Sequence, residues 1–327
     1  MRVIALLICL VSAPANADIY RAVDLTKTFY QEFETQAEYL VQSAANNCTA
    51  STLKASYHKT FDAWVSASTI QFGPIEDIGG SLSITFWPDK KGFTVKTLKR
   101  LLQEDKSVIE DPTQFTEVSI AGKGLMALEL LLFDPEFNTY PTDSTACVLA
   151  QAITQDIAQK ANRMNVLWQT SFADFIVTAG QENNTVFLSQ KEAAQSYLTT
   201  IIGALEFTQT ARLKRPLGTF ERARPKRAEA WRSDRPLRNI EIALSAVNKL
   251  VIALTENEAP ITQEELATAL KFISSMQDDN FQSISENSVR FEVESLLQMV
   301  KNIKEAATEE LSLHLGVTTG FNALDGD

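Results

Sequence analysis

Gly122-Lys123-Gly124-Leu125-Met126-Ala127-Leu128-Glu129-Leu130-Leu131-Leu132-Phe133-Asp134 is the stretch around which this chain is organised. Every residue from Leu125 to Phe133 is apolar except Glu129. The run is nine residues long, far short of the roughly 20 that a membrane-spanning helix needs. It therefore reads as a core helix of a globular protein. A lone carboxylate in such a run is expected to be buried, and burying it ionised is costly unless something pairs with it. Glu129 is the first candidate for a site.

Outward from this stretch, long segments lack helix breakers. The 327 residues include only 12 Gly and 10 Pro, sparse for an all-β protein, and 45% are hydrophobic. Apolar residues at helical spacing mark a helix over 18–46 (Ile19, Phe29, Phe33, Leu40) and a second over 49–69 (Leu53, Tyr57, Phe61, Trp64). Residues 70–92 hold Gly73, Pro74, Gly79, Gly80, Pro88 and Gly92 and read as a loop carrying Phe86-Trp87-Pro88-Asp89. Aromatic residues on a long loop point to a site wall or to a plug over the core.

A short helix is expected over 94–103. Pro112 opens a helix that contains the central stretch, and a single long helix runs from Ser144 to Ala179. Ser189-Gln190-Lys191-Glu192 is a capping box that opens a helix over 190–214. Pro236 opens another to Leu254. A second capping box at Thr262 opens one to Gln282, and the last spans 288–314. The expected architecture is all-α, two helical bundles packed side by side. Residues 18–180 form the first bundle, 181–188 a linker, 189–316 the second bundle and 317–327 a tail.

The first 17 residues read as a secretory leader, with Arg2, an apolar stretch from Val3 to Val11 and Ala15-Asn16-Ala17 as the cleavage site. The expected location is the periplasm or cell envelope, with no transmembrane segment once the leader is removed. Loss of Arg2 moves the net charge from −11 to −12, which argues against nucleic acid as a partner. Two cysteines remain, Cys48 and Cys147, and in an exported protein such a pair reads as a disulfide, with two free buried thiols as the alternative.

From Lys214 to Arg238 there are nine basic residues against three acidic ones, in an otherwise acidic chain. Arginine suits bidentate contact with carboxylate or phosphate. The cluster reads either as an anion site or as a clamp on the acidic first bundle. Asp325, Asp327 and the terminal carboxylate are further acids that the tail offers to it.

These residues resemble the imelysin-like family, also called the M75 peptidase family. The resemblance rests on Trp64 with Phe72-Gly73-Pro74, on Phe86-Trp87-Pro88-Asp89, and on the segment from Gly124 to Phe133. It rests also on Arg215-Pro216-Leu217-Gly218, on Glu229 to Ser233 with Arg238-Asn239-Ile240, and on the terminal Gly-Phe-Asn-Ala-Leu-Asp-Gly-Asp. It implies an exported protein of two helical bundles, of a kind associated with iron uptake, with iron or another metal as the candidate cofactor. The family signature is Gly-x-His-x-x-Glu. Gly124 and Glu129 match it, but Met126 stands at the histidine. A thioether is a poor ligand for zinc or ferric iron, so the departure weakens a metal site and a metallopeptidase alike.

Neither His58 nor His314 has a companion at metal-ligand spacing. No nucleophile elbow, phosphate loop or H-E-x-x-H is present. The leading expectation is a non-catalytic protein that binds a small ligand or an envelope partner where the bundles meet. Glu129, Met126, Trp87, Asp89, Arg232, Arg235 and Arg238 are its candidate residues. The alternatives are a metal-dependent peptidase and an envelope interaction protein in which Glu129 simply pairs with an arginine.

Overall fold

The structure, a computed structural model, describes residues 16–103 and 106–317. The expected leader lies outside the described residues except for its last two, which open the first helix. The tail beyond Val317 also lies outside them.

The all-α expectation holds. Among the described residues there is no β-strand, only an isolated bridge between Thr219 and Arg222. Helix α1 (Asn16–Asn46) turns back through Asn47–Thr49 into α2 (Ala50–Ala67). Short pieces follow: α3 (Phe93–Leu101), α4 (Ser107–Glu110) and α5 (Pro112–Thr116). Then come the central α6 (Gly124–Phe133), α7 (Thr145–Leu167) and α8 (Ala173–Val177). The rest comprises α9 (Gln190–Phe207), α10 (Lys214–Leu217), α11 (Pro236–Thr255), α12 (Pro260–Ile273) and α13 (Asn287–Leu315). No described helix is long and apolar enough to cross a membrane.

Helices α1, α2, α6 and α7 pack on one another, and so do α9, α11, α12 and α13. Helix α11 also lies against α1 and α2, so the buried apolar residues of both sets form one continuous cluster. Phe33 packs on Trp64 with ring centroids 5.1 Å apart, and Tyr30 stacks on Trp168 at 5.6 Å. Cys48 and Cys147 form a disulfide with Cα atoms 5.3 Å apart, fastening the α1–α2 turn to the first turn of α7. Closing a loop with a sequence separation of 99 contributes about 4–5 kcal/mol in the chain-entropy account.

Several expected helices are interrupted. The helix expected from Pro112 through the central stretch is three pieces, α5, a 3-10 turn over Ile120–Gly122, and α6. The cause is Gly124, which sits at φ +69 with its ideal Cβ position only 2.2 Å from the Ile84 carbonyl oxygen. Leu125 donates its N–H to that carbonyl at 2.7 Å, so the helix begins anew against the loop. The long helix from Ser144 widens into a π segment at Trp168–Phe172 before α8, and α9 does the same at Thr208–Leu213 before α10. Helix α12 ends at Ile273, not Gln282; the segment beyond it is a loop in which Phe281 adopts φ +60 and Asp278 accepts the Ser283 N–H at 2.8 Å. Its start is Pro260, and Thr262 donates through N–H and hydroxyl to Glu310 of α13 instead of capping.

Candidate functional site

Helix α6 is apolar on every side, which suits a central position. All its residues are buried except Met126 and Phe133, which are half-buried and packed on the core. Glu129 is 1% exposed, as the lone acid in an apolar run requires. Its Oε1 accepts the backbone N–H of Ser233 at 3.0 Å and the Ser233 hydroxyl at 2.9 Å. Burial pushes its carboxyl up to about 7, against the lowering pull of Ser233 and Arg232.

Ser233 reaches Glu129 because of the turn that carries it. The 3-10 turn Trp231–Ser233 lies between two left-handed residues, Ala230 (φ 48) and Asp234 (φ 53). Non-glycine residues seldom adopt this conformation, and it persists where surrounding contacts hold it. Nearby, the Tyr57 hydroxyl is buried and makes no hydrogen bond within ordinary geometry among the described residues. Burial raises its pKa well above the ordinary phenol value.

The three arginines expected beside Glu129 bind other acids. Arg232 Nε donates to Asp134 at 2.5 Å, and its guanidinium lies 4.4 Å from the Trp231 ring centre. Arg235 is 0% exposed and donates to Asp62 at 2.5 Å, to Asn239 at 3.1 Å and to the His58 carbonyl at 3.2 Å. His58 Nδ1 also lies 3.0 Å from the Arg235 guanidinium and accepts from it. Arg238 chelates both oxygens of Asp62. Burial pushes the Asp62 carboxyl up, but Arg238 and Arg235 more than reverse it and leave it below the ordinary range. His58 is lowered by burial and by Arg235. These arginines fasten the 231–238 segment to α2 and to the end of α6, as in the clamp reading.

The loop residues separate in role. Trp87 is buried, with its ring edge-on to Phe207 at 5.9 Å. Asp89 accepts the backbone N–H groups of Lys91, Phe93 and Thr94 at 3.3, 3.0 and 2.8 Å, bracing the start of α3. Its carboxyl is pushed up by burial and pulled below normal by those donors.

A cleft of about 820 Å³ lies between α2, the 68–87 segment and α9. Trp87, Trp64, Phe72 and Phe207 line it, together with Gly203 and the pair Arg212–Glu229. Helix α9 is tied to the loop by Thr200, whose hydroxyl donates to the Thr69 carbonyl at 2.9 Å and accepts the Gln71 N–H at 2.8 Å. Arg212 Nε and Glu229 Oε2 are 2.7 Å apart with side chains 7% and 4% exposed, and Asn239 donates to the same oxygen at 3.0 Å. Of the candidate residues named from the sequence, only Trp87 lines this cleft; Glu129, Met126, Asp89, Arg232, Arg235 and Arg238 do not. Arg212, Glu229 and Ser233 were not among those candidates. One signal for Arg212 was available: it follows Leu205 and Thr208 along the buried face of the α9 segment.

The imelysin family model, peptidase family M75, matches residues 26–307. The chain belongs to the imelysin family. A crystal structure of an imelysin-like protein from Psychrobacter arcticum 273-4 superposes with a TM-score of 0.78 at 18% identity, covering 96% of this chain and 100% of that one. At that identity the likeness concerns the fold. No curated protein matches the chain. The segment from Gly124 to Glu129, where the sequence departs from the expected imelysin signature, offers few metal donors. Met126 offers a half-buried thioether, and one oxygen of Glu129 already accepts two hydrogen bonds. These residues do not suit zinc or ferric iron. Among the described residues no three His, Cys, Asp or Glu side chains come together as a metal set.

Proposed function

We propose that this imelysin-family protein is an exported, non-catalytic binding protein whose ligand occupies the cleft between α2, the 68–87 segment and α9. The observation that carries the reading is the cleft itself. Aromatic side chains contribute much of its wall, and the buried Arg212–Glu229 pair is part of its lining. A concave, mainly apolar cavity of several hundred Å³ with a few convergent polar groups is the usual form of a small-molecule site. The walls of the cleft come from α2 on one side and α9 on the other. On this reading Glu129 is a fixture of the α6–Ser233 contact and not a ligand-binding acid. Association with iron uptake, suggested by the family, belongs to the same proposal.

Gly203 gives a direct test. A Cβ added there meets nothing within 4 Å, and the residue lines the cleft. Gly203→Leu projects a side chain into the cleft from α9 and is expected to keep the fold, because replacing a helical glycine favours the helix by up to about 1 kcal/mol. Native mass spectrometry of protein exported by its own host is expected to show a bound small molecule in the wild type and none in the variant. Equal ligand content in both overturns the cleft as the site. Elemental analysis of the same samples checks the iron association. The peptidase reading gains support only if the purified protein cleaves unfolded substrate in a chelator-sensitive way that Glu129→Gln abolishes.

A further inference from the structure

The seven arginines of the basic run divide into two groups. Arg232, Arg235 and Arg238 face Asp134 and Asp62. Arg215, Arg222, Arg224 and Arg227 have no carboxylate partner among the described residues. In a chain of net charge −11, four guanidinium groups without an acid are not placed there by charge balance.

The backbone holds them together. Thr219 and Arg222 exchange N–H to carbonyl bonds at 3.2 Å, and Arg224 donates its N–H to Pro216 at 2.8 Å. Gly218 stands at φ +61, with its ideal Cβ position 2.3 Å from the Arg222 carbonyl oxygen, so the hairpin closes only with glycine there. Arg290 of α13 donates to the carbonyls of Leu217 and Thr219 at 3.1 and 3.2 Å, pinning the hairpin to the bundle. The Arg215 Nε is buried and bonds to no acceptor among the described residues, a costly state for a charged donor. Its guanidinium carbon lies 5.9 Å from the centre of the Trp87 ring, the ring that walls the cleft. Desolvation and then the neighbouring Arg227 lower the pKa of Arg215, and desolvation followed by Arg222 and Arg227 lowers that of Arg224.

We infer that Arg215, with Arg222, Arg224 and Arg227, forms an anion site for a phosphoryl group, and that this site takes the charged head of an amphipathic ligand whose apolar body lies in the cleft. The inference rests on the cleft reading for the body of the ligand and on the hairpin alone for the head. Phosphoryl oxygens satisfy several guanidinium donors at once, which a single carboxylate does less well. The Trp87 ring supplies the junction between the two parts.

Isothermal titration with decyl phosphate, decanol and inorganic phosphate, each below any micelle concentration, separates the parts. Decyl phosphate is expected to bind at least about tenfold tighter than decanol, with the advantage shrinking as salt rises. Arg215→Gln is expected to remove that advantage and to leave decanol binding unchanged. Arg227→Gln, at an exposed position that cannot unfold the protein, is expected to reduce it severalfold. If inorganic phosphate binds and Arg215→Gln abolishes it while neither decyl compound binds more tightly, the anion site stands as a free-phosphate site and the cleft reading falls. If decanol binds and decyl phosphate gains nothing over it, the cleft reading stands and the anion site is overturned. Absence of binding by all three compounds overturns both.

Discussion

Ser233 donates both its backbone N–H and its hydroxyl to the same oxygen of Glu129. The family signature acid is thus held by a serine, while the adjacent Arg232 turns to Asp134. An ion pair at Glu129 would have kept its carboxyl in the ordinary range. Instead burial dominates and carries it from 4.5 to about 7.

This has a signed consequence for stability. Between pH 4.5 and 7 the folded protein keeps a proton on Glu129 that the unfolded chain has released. Stability therefore falls as pH rises through that window, and the difference corresponds to about 3 kcal/mol once both states are ionised. Glu129→Gln keeps the acceptor oxygen and removes the titration. The unfolding free energy of the variant minus that of the wild type is expected to be more positive at pH 8 than at pH 4.5, the variant gaining in relative stability. His58, with its lowered pKa, acts in the opposite sense, losing stability as pH falls, but it is common to both proteins and cancels in the difference. Urea titrations giving the same difference at every pH would refute the burial account.

The acid shared by Arg235 and Arg238 separates a buried charge from an exposed one. Arg235 is 0% exposed and Arg238 53%, and both bind Asp62. Asp62→Ala leaves Arg235 buried without its counter-ion and is expected to cost about 3–5 kcal/mol. Arg238→Ala is expected to cost no more than about 1 kcal/mol. Equal losses in chemical denaturation would mean that Arg235 is held chiefly by Asn239 and His58.

Gly124 and Gly203 predict opposite outcomes for the same substitution. Gly124→Ala places a methyl group 2.2 Å from the Ile84 oxygen at a positive φ and is expected to cost about 3 kcal/mol or more. Gly203→Ala meets nothing within 4 Å inside a helix and is expected to be neutral or to stabilise by up to about 1 kcal/mol. Thermal melts of the two variants check this, and a mild Gly124→Ala would mean the loop yields.

The helical class was legible because Gly and Pro are scarce and apolar residues recur at helical spacing through α1, α2 and α7. The interruptions were not. A π segment changes no residue type, so Trp168–Phe172 and Thr208–Leu213 read as ordinary helix. The break at Gly124 depends on a carbonyl forty residues away. Burial of Glu129 could be read from its neighbours, but its partner could not. Ser233 is aimed by a turn whose left-handed residues are Ala230 and Asp234; aspartate tolerates that conformation, but alanine gives no sign of it. Trp87 was found because an aromatic in a Gly- and Pro-rich loop stands out. Arg212 was missed because a single arginine before a basic run draws no attention.

The bond from the Leu125 amide to the Ile84 carbonyl joins the first turn of α6 to the loop that carries Trp87. An opening of that loop therefore withdraws the acceptor from the amide that starts the signature helix. Hydrogen exchange at Leu125 becomes a reporter of loop opening at the cleft, read from a residue that the cleft never touches.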